Sequence, residues 1–190
     1  MIARRCVLLA VVALVAGCRS SPPKHFYVLV PVAPQQRPAA NPRSGVQVAA
    51  VNIPATLDRQ EMVRQSGADR LEISDVNRWG APLADMTQNV LTRDLMERLP
   101  TGKVIPPRSA APTSTYEITA DILEFGCDET GRVRLIGGWS LFRLGSDTPV
   151  LSRNVELSEP AAADSAAQAQ GMSQLLGRLA DDMAAEVSAR

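Results

Sequence analysis

One histidine, three cysteines and 20 carboxylate side chains are what this 190-residue sequence offers for catalysis or metal binding. His25 has no histidine partner, so it can supply neither an HExxH metal helix nor, within a predicted tether, a base held by a third group. Asp181 and Asp182 are adjacent, but neighbours on a helix diverge by about 100°, so the pair is expected on a solvated face. Asp58, Glu61, Asp69 and Glu72 lie close together without the alternating spacing and fixed glycine of a calcium loop. No glycine-rich phosphate loop follows a strand. Lys+Arg equals Asp+Glu, which leaves no basic footprint for nucleic acid. No catalytic residue, metal or cofactor is expected.

The one cysteine with a clear chemical assignment is Cys18. Arg4 and Arg5 precede an apolar run from Val7 to Ala16, too short to span a bilayer, and Leu14-Val15-Ala16-Gly17-Cys18 follows the pattern of a bacterial lipobox. There the thiol takes a diacylglyceryl group before the signal is cut. Residues 1–17 are therefore expected to be a lipoprotein signal peptide and 18–25 a lipidated tether. Loss of Arg4 and Arg5 turns the charge balance slightly acidic. Cys6 leaves with the signal and Cys18 is acylated, so Cys127 has no intramolecular disulfide partner. Its setting, Gly126-Cys-Asp-Glu-Thr-Gly131, reads as a turn with an incidental or partly buried thiol.

The elements that follow are read from periodicity. Phe26 to Val30 is a first strand. Pro31, Pro34, Pro38 and Pro42 make residues 31–44 an extended connection. Val46 to Ile53, apolar on both alternating faces, predicts a strand covered on both sides near the middle of a sheet. Glu61 to Gln65 and Arg70 to Ser74 suggest a small hairpin on the rim. Pro82 is suited to the first position of a helix over about 82–98, with a stripe of Leu83, Met86, Val90, Leu91, Leu95 and Leu99.

Lys103 to Ile105 is a short strand, and Thr115 to Ile122 alternates until the phase flips at Leu123 and Phe125, predicting a β-bulge near Ile122. Val133 to Leu144 and Val150 to Leu157 complete an antiparallel meander. Gly137-Gly138 marks a bend or a close backbone approach. A long helix over about 164–188 ends the chain; its first half, almost only Ala, Gln and Ser, is expected to project into solvent or meet a partner. The fold class is α/β, a two-layer sandwich of one mixed sheet with two amphipathic helices on one face, and residues 26–190 form one domain.

Ile53-Pro54 with Leu57-Asp58-Arg59, followed by Arg78-Trp79 and Pro82-Leu83 leading into an amphipathic helix, resembles the PqiC family of auxiliary lipoprotein components of ABC-type transport systems. The sequence departs from it at Ala55-Thr56, where an aromatic residue is common, and in the Pro-rich segment. The resemblance implies a lipid-anchored subunit of an MCE (mammalian cell entry) intermembrane lipid-transport system. It would dock the MCE-domain protein and the inner-membrane components, and the resemblance also allows a homo-oligomeric ring. Arg19 after the lipidated cysteine, rather than Asp, favours the periplasmic face of the outer membrane by the same resemblance. A lipid carrier and an assembly or pilot lipoprotein for an outer-membrane pore are the competing roles. Two readings stand: Asp58 and Arg59 fix a turn as an ion pair or cap while Trp79 closes the core beneath the first helix, or Leu57, Asp58, Arg59, Arg78 and Trp79 form a partner surface, since Arg and Trp are enriched in interface hot spots.

Overall fold

The computed structural model describes residues 22–34, 42–160 and 164–190. Cys18, the signal segment and residues 35–41 of the Pro-rich connection lie outside them. The element order is β1 (His25–Tyr27), β2 (Val46–Asn52), β3 (Glu61–Gln65), β4 (Leu71–Trp79), α1 (Leu83–Arg98), β5 (Val104–Ile105), β6 (Tyr116–Cys127), β7 (Arg132–Arg143), β8 (Pro149–Pro160) and α2 (Ser165–Ser188). Eight strands form one curled mixed sheet, and two helices pack on it.

Strand β6 is the hub. One edge pairs antiparallel with β7, which pairs with β8. The other edge is shared: its first half runs parallel to β2, and its last residue, Cys127, meets Arg64 of β3. The sheet forks between those two contacts, one branch carrying β2 and β5, the other β3, β4 and β1. The predicted bulge is present. Ile122 pairs with Gly137 and Glu124 with Ile136, so Leu123 is the extra residue, left 66% exposed between buried Ile122 and Phe125.

Gly137 and Gly138 serve as close approaches. A Cβ on Gly137 would collide with the Asp121 carbonyl, and one on Gly138 would stand 2.9 Å from the Arg153 carbonyl oxygen, so both neighbouring strands require the bare backbone. The β6–β7 and β7–β8 turns need positive φ, supplied by Gly131 and Gly145.

Several expectations are corrected. Strand β1 starts at His25, inside the expected tether, and is only three residues long. Strand β2 is not covered throughout: Val46, Gln47 and Val48 are buried, while Ala49 is exposed and only the two-residue β5 lies beyond it. Strand β4 continues to Trp79, which carries Arg78 and Trp79 into the sheet. Pro82 is the N-cap of α1 rather than its first residue; its carbonyl accepts from the Met86 amide at 3.0 Å.

The first half of α2 does not project. Gln168, Ala169, Met172 and Ser173 are buried, and Gln168 Nε2 donates to the Val63 carbonyl at 2.9 Å. Ala, Gly and Ser remove little apolar area, but their small size lets the helix lie close to the sheet. Both helices share one core with Ile118, Leu135, Trp139 and Leu141. No described helix is long and apolar enough to cross a membrane.

Candidate functional site: a clasped loop and an open cleft

The segment from Pro54 to Glu61 leaves β2 and turns back into β3. Its turn is built by the Pro54 carbonyl, which accepts from the amides of Leu57 at 2.8 Å and Asp58 at 3.0 Å. Asp58 and Arg59 do not pair with each other. Asp58 Oδ1 accepts from the Ala84 amide at 3.1 Å, in the first turn of α1. A helix start leaves amides without intrahelical partners, and Pro82 has no side chain to cap them, so Asp58 supplies the cap from 26 residues earlier.

Arg59 reaches forward instead. Its Nε donates to Glu61 Oε2 at 3.0 Å, while Arg78 Nη1 lies 3.2 Å from Glu61 Oε1. The Arg59 hydrogen bond, aided by the charges of both arginines, holds the Glu61 carboxyl below its usual range. Arg78 also donates to the Gln60 side chain, and the Trp79 amide donates to the Gln60 carbonyl at 2.7 Å. Trp79 itself is 4% exposed, within the core.

Arg59 and Arg78 thus meet at Glu61, with Trp79 next to Arg78 on β4, whereas Asp58 reaches α1 and Leu57 faces elsewhere. Glu61, which carries the cluster, stands at the first position of β3. Its position two residues from Arg59 at a strand entry, which places both on one face, is the signal that could have found it.

Leu57 packs partly against the core and also lines a cleft of about 220 Å³ at the fork of the sheet, with Thr56, Val63, Leu71, Leu123 and Phe125. No helical residue lines it. Arg134 forms one wall, 3.6 Å from Glu124 and 3.0 Å from Glu156. Gln65, Glu124 and Asp128 add polar groups to this apolar lining, and the bulge leaves Leu123 exposed at the cleft.

A second polar cluster was not foreseen. Arg98 is buried between the helices: Nε donates to Asp181 at 2.6 Å, Nη1 to the carbonyls of Val32 and Asp94, and Nη2 to the Gly177 carbonyl, each at 3.0 Å. Asp94 Oδ1 accepts from the Val32 amide at 2.7 Å and lies 3.6 Å from Arg98 Nη1. Gly177 lies where a Cβ would come within 3.0 Å of Val32. The stretch after β1 is thereby latched onto the helix pair. Asp181 and Asp182 are not a solvated face, since Asp182 accepts from Trp139 Nε1 at 2.9 Å. Each of the diverging neighbours takes its own partner.

Burial pushes the Asp94 carboxyl up to about 6, against the opposing hydrogen bond from Val32 and the charge of Arg98. Cys127 closes β6 rather than sitting in a turn, and burial also raises its thiol, which disfavours the nucleophilic thiolate. His25 is exposed, and among the described residues no cluster of three His, Cys, Asp or Glu side chains is placed to hold a metal.

Solved structures with the same architecture exist. The crystal structure of a Xanthomonas campestris protein assigned to family DUF330 superposes with TM-score 0.70 at 21% identity, over 86% of this chain and 95% of that one. The crystal structure of an uncharacterized protein gives TM-score 0.66 at 20% identity, over 88% of this chain and 97% of that one. At such identities they establish the fold alone. No curated protein sequence matches the chain. Residues 27–184 match the profile of ABC-type transport auxiliary lipoprotein components, and the chain belongs to that family.

Proposed function

We propose that this chain is an outer-membrane lipoprotein subunit of an MCE-type intermembrane lipid-transport system, a PqiC-like part that docks the periplasmic MCE component. Membership of the transport auxiliary lipoprotein family and the lipobox ending at Cys18 support the anchor and the transport context. Arg19 after the cysteine supports sorting to the outer membrane. The docking role rests on one observation. The loop from Pro54 to Glu61 is fixed by the Asp58 cap and by the Arg78 pair, yet Arg59 and the Leu57–Leu123 cleft remain open beside it. A rigid frame around an accessible arginine and apolar side chains is what a protein interface requires, because ordering costs are met before the partner arrives.

The test is in situ crosslinking of the tagged full-length chain, extraction from membranes and identification of the attached protein. An MCE-domain protein together with transporter subunits is the expected catch. Arg59→Ala and Leu123→Glu should each reduce its yield without moving the melting temperature. A secretin or barrel as the sole client would overturn the assignment in favour of a pilot role.

A further inference from the structure

The residues next to the expected anchor carry apolar side chains in both directions. Tyr27 packs against the core and Leu29 is 6% exposed, whereas Phe26, Val28 and Val30 point outward at 66%, 57% and 50% exposure. These three alternate along one face of an edge strand and its continuation, where uncovered apolar surface is a liability. The backbone presenting them is not frayed. The Tyr27 carbonyl accepts from the Gly80 amide at 2.8 Å, the Val30 amide donates to Ser173 Oγ at 3.1 Å, and Val32 is held by Asp94 and Arg98. The fold therefore spends polar contacts on holding an apolar stripe outward.

What covers it follows from chain length. Only eight peptide units separate Cys18 from Phe26, and each extends at most about 3.5 Å, so an acylated Cys18 keeps Phe26 within about 30 Å of the membrane surface. Lys24 and His25, both exposed, lie between them beside the stripe. A short apolar face preceded by an exposed lysine suits the boundary of headgroups and acyl chains, and one segment so inserted adds to an acyl anchor.

We propose that Phe26, Val28 and Val30 form a bilayer-contacting stripe that seats the domain on the membrane in one orientation. The inference rests on lipidation of Cys18, as proposed above. Trp79 and Trp139 are both buried, so a tryptophan added at Phe26 can be read over a low background.

Full-length lipidated Phe26→Trp, reconstituted in phosphatidylethanolamine and phosphatidylglycerol vesicles, should lose most of its added emission when the lipids carry brominated acyl chains. Leu123→Trp in the same vesicles should keep its emission and be quenched by aqueous iodide. Val30→Trp serves as a second reporter with the behaviour of Phe26→Trp. Iodide quenching of the Phe26→Trp signal to the level of Leu123→Trp overturns the proposal, and so does protection from both quenchers, which would mean that protein covers the stripe. Mass spectrometry of the same sample reports the acyl group on Cys18, so loss of the anchor is distinguished from loss of the contact.

Discussion

At Glu61 two arginines share one carboxylate within reach of water; at Arg98 two carboxylates share one guanidinium that water does not reach. The chemistry is the same, and the surroundings decide its sign. Glu61 gives up only part of its hydration and gains a hydrogen bond from Arg59, so its ionised form is favoured. Asp94 loses its hydration, and the Arg98 charge at 3.6 Å recovers only part of that cost. The exposed cluster shapes a surface, whereas the buried one sets how strongly residues 30–32 are tied to the helices.

Breaking the buried member should give the largest effect. Arg98→Met strands Asp94 without its counter-charge and deprives the carbonyls of Val32, Asp94 and Gly177 of their donor. The expected loss is about 3–5 kcal/mol, the usual cost of removing one partner of a buried pair. It should appear in the thermal melt, with faster hydrogen exchange at the Val30 and Val32 amides. Arg59→Met should barely move the melt, since exposed pairs contribute little. Equal melting temperatures for the two variants would show that burial does not separate the clusters.

A pH series sharpens the same contrast. Burial raises the Asp94 carboxyl from its ordinary 3.8 to about 6, so its stabilising contribution is complete below about pH 4 and is lost as pH rises through 6. Asp94→Asn keeps an oxygen for the Val32 amide and removes the titration. Relative to wild type, this variant should gain about 3 kcal/mol between pH 4 and 7 in denaturant titrations. Glu61 runs the other way: its lowered carboxyl stabilises the fold above its ordinary range, and that contribution disappears as the solution is acidified. Glu61→Gln should therefore differ from wild type near neutrality and converge with it in acid. A constant offset between Asp94→Asn and wild type across the window would refute the assignment of the buried charge.

These clusters also show where sequence reasoning reaches and where it stops. Alternation in β6 located the bulge because Leu123 breaks the phase within a single strand, and the spacing of Leu83 to Leu99 located α1 because the helix repeats its own pattern. The buried latch has no such local record. Arg98 suits a helix end and Asp181 a wet helix face when each element is considered alone; only the crossing of α1 and α2 brings them together over 83 residues. The first half of α2 misled for a related reason, since periodicity weighs apolar area and is blind to how closely small residues let backbones approach. Around the motif, the Arg59–Glu61 pair is local, whereas Arg78 reaches Glu61 because β4 continues to Trp79 and Asp58 reaches the Ala84 amide only across 26 residues.

The smallest of the expected effects tests whether the exposed region has a structural part at all. Asp58→Ala removes the cap from the first turn of α1 and should cost about 1 kcal/mol, with Asp58→Asn retaining most of the stability because its oxygen can still accept from the Ala84 amide. Hydrogen exchange should speed up at Ala84 and leave the latch amides of Val30 and Val32 unchanged. Capping rather than some other contact of Asp58 is isolated by a local replacement. Pro82→Ser places a hydroxyl at the N-cap position itself, so its stabilising effect should be greater in the Asp58→Ala background than in wild type. Equal effects in the two backgrounds would mean that Asp58 and position 82 do not serve the same amides, and the motif aspartate would then have to be explained by the partner surface alone.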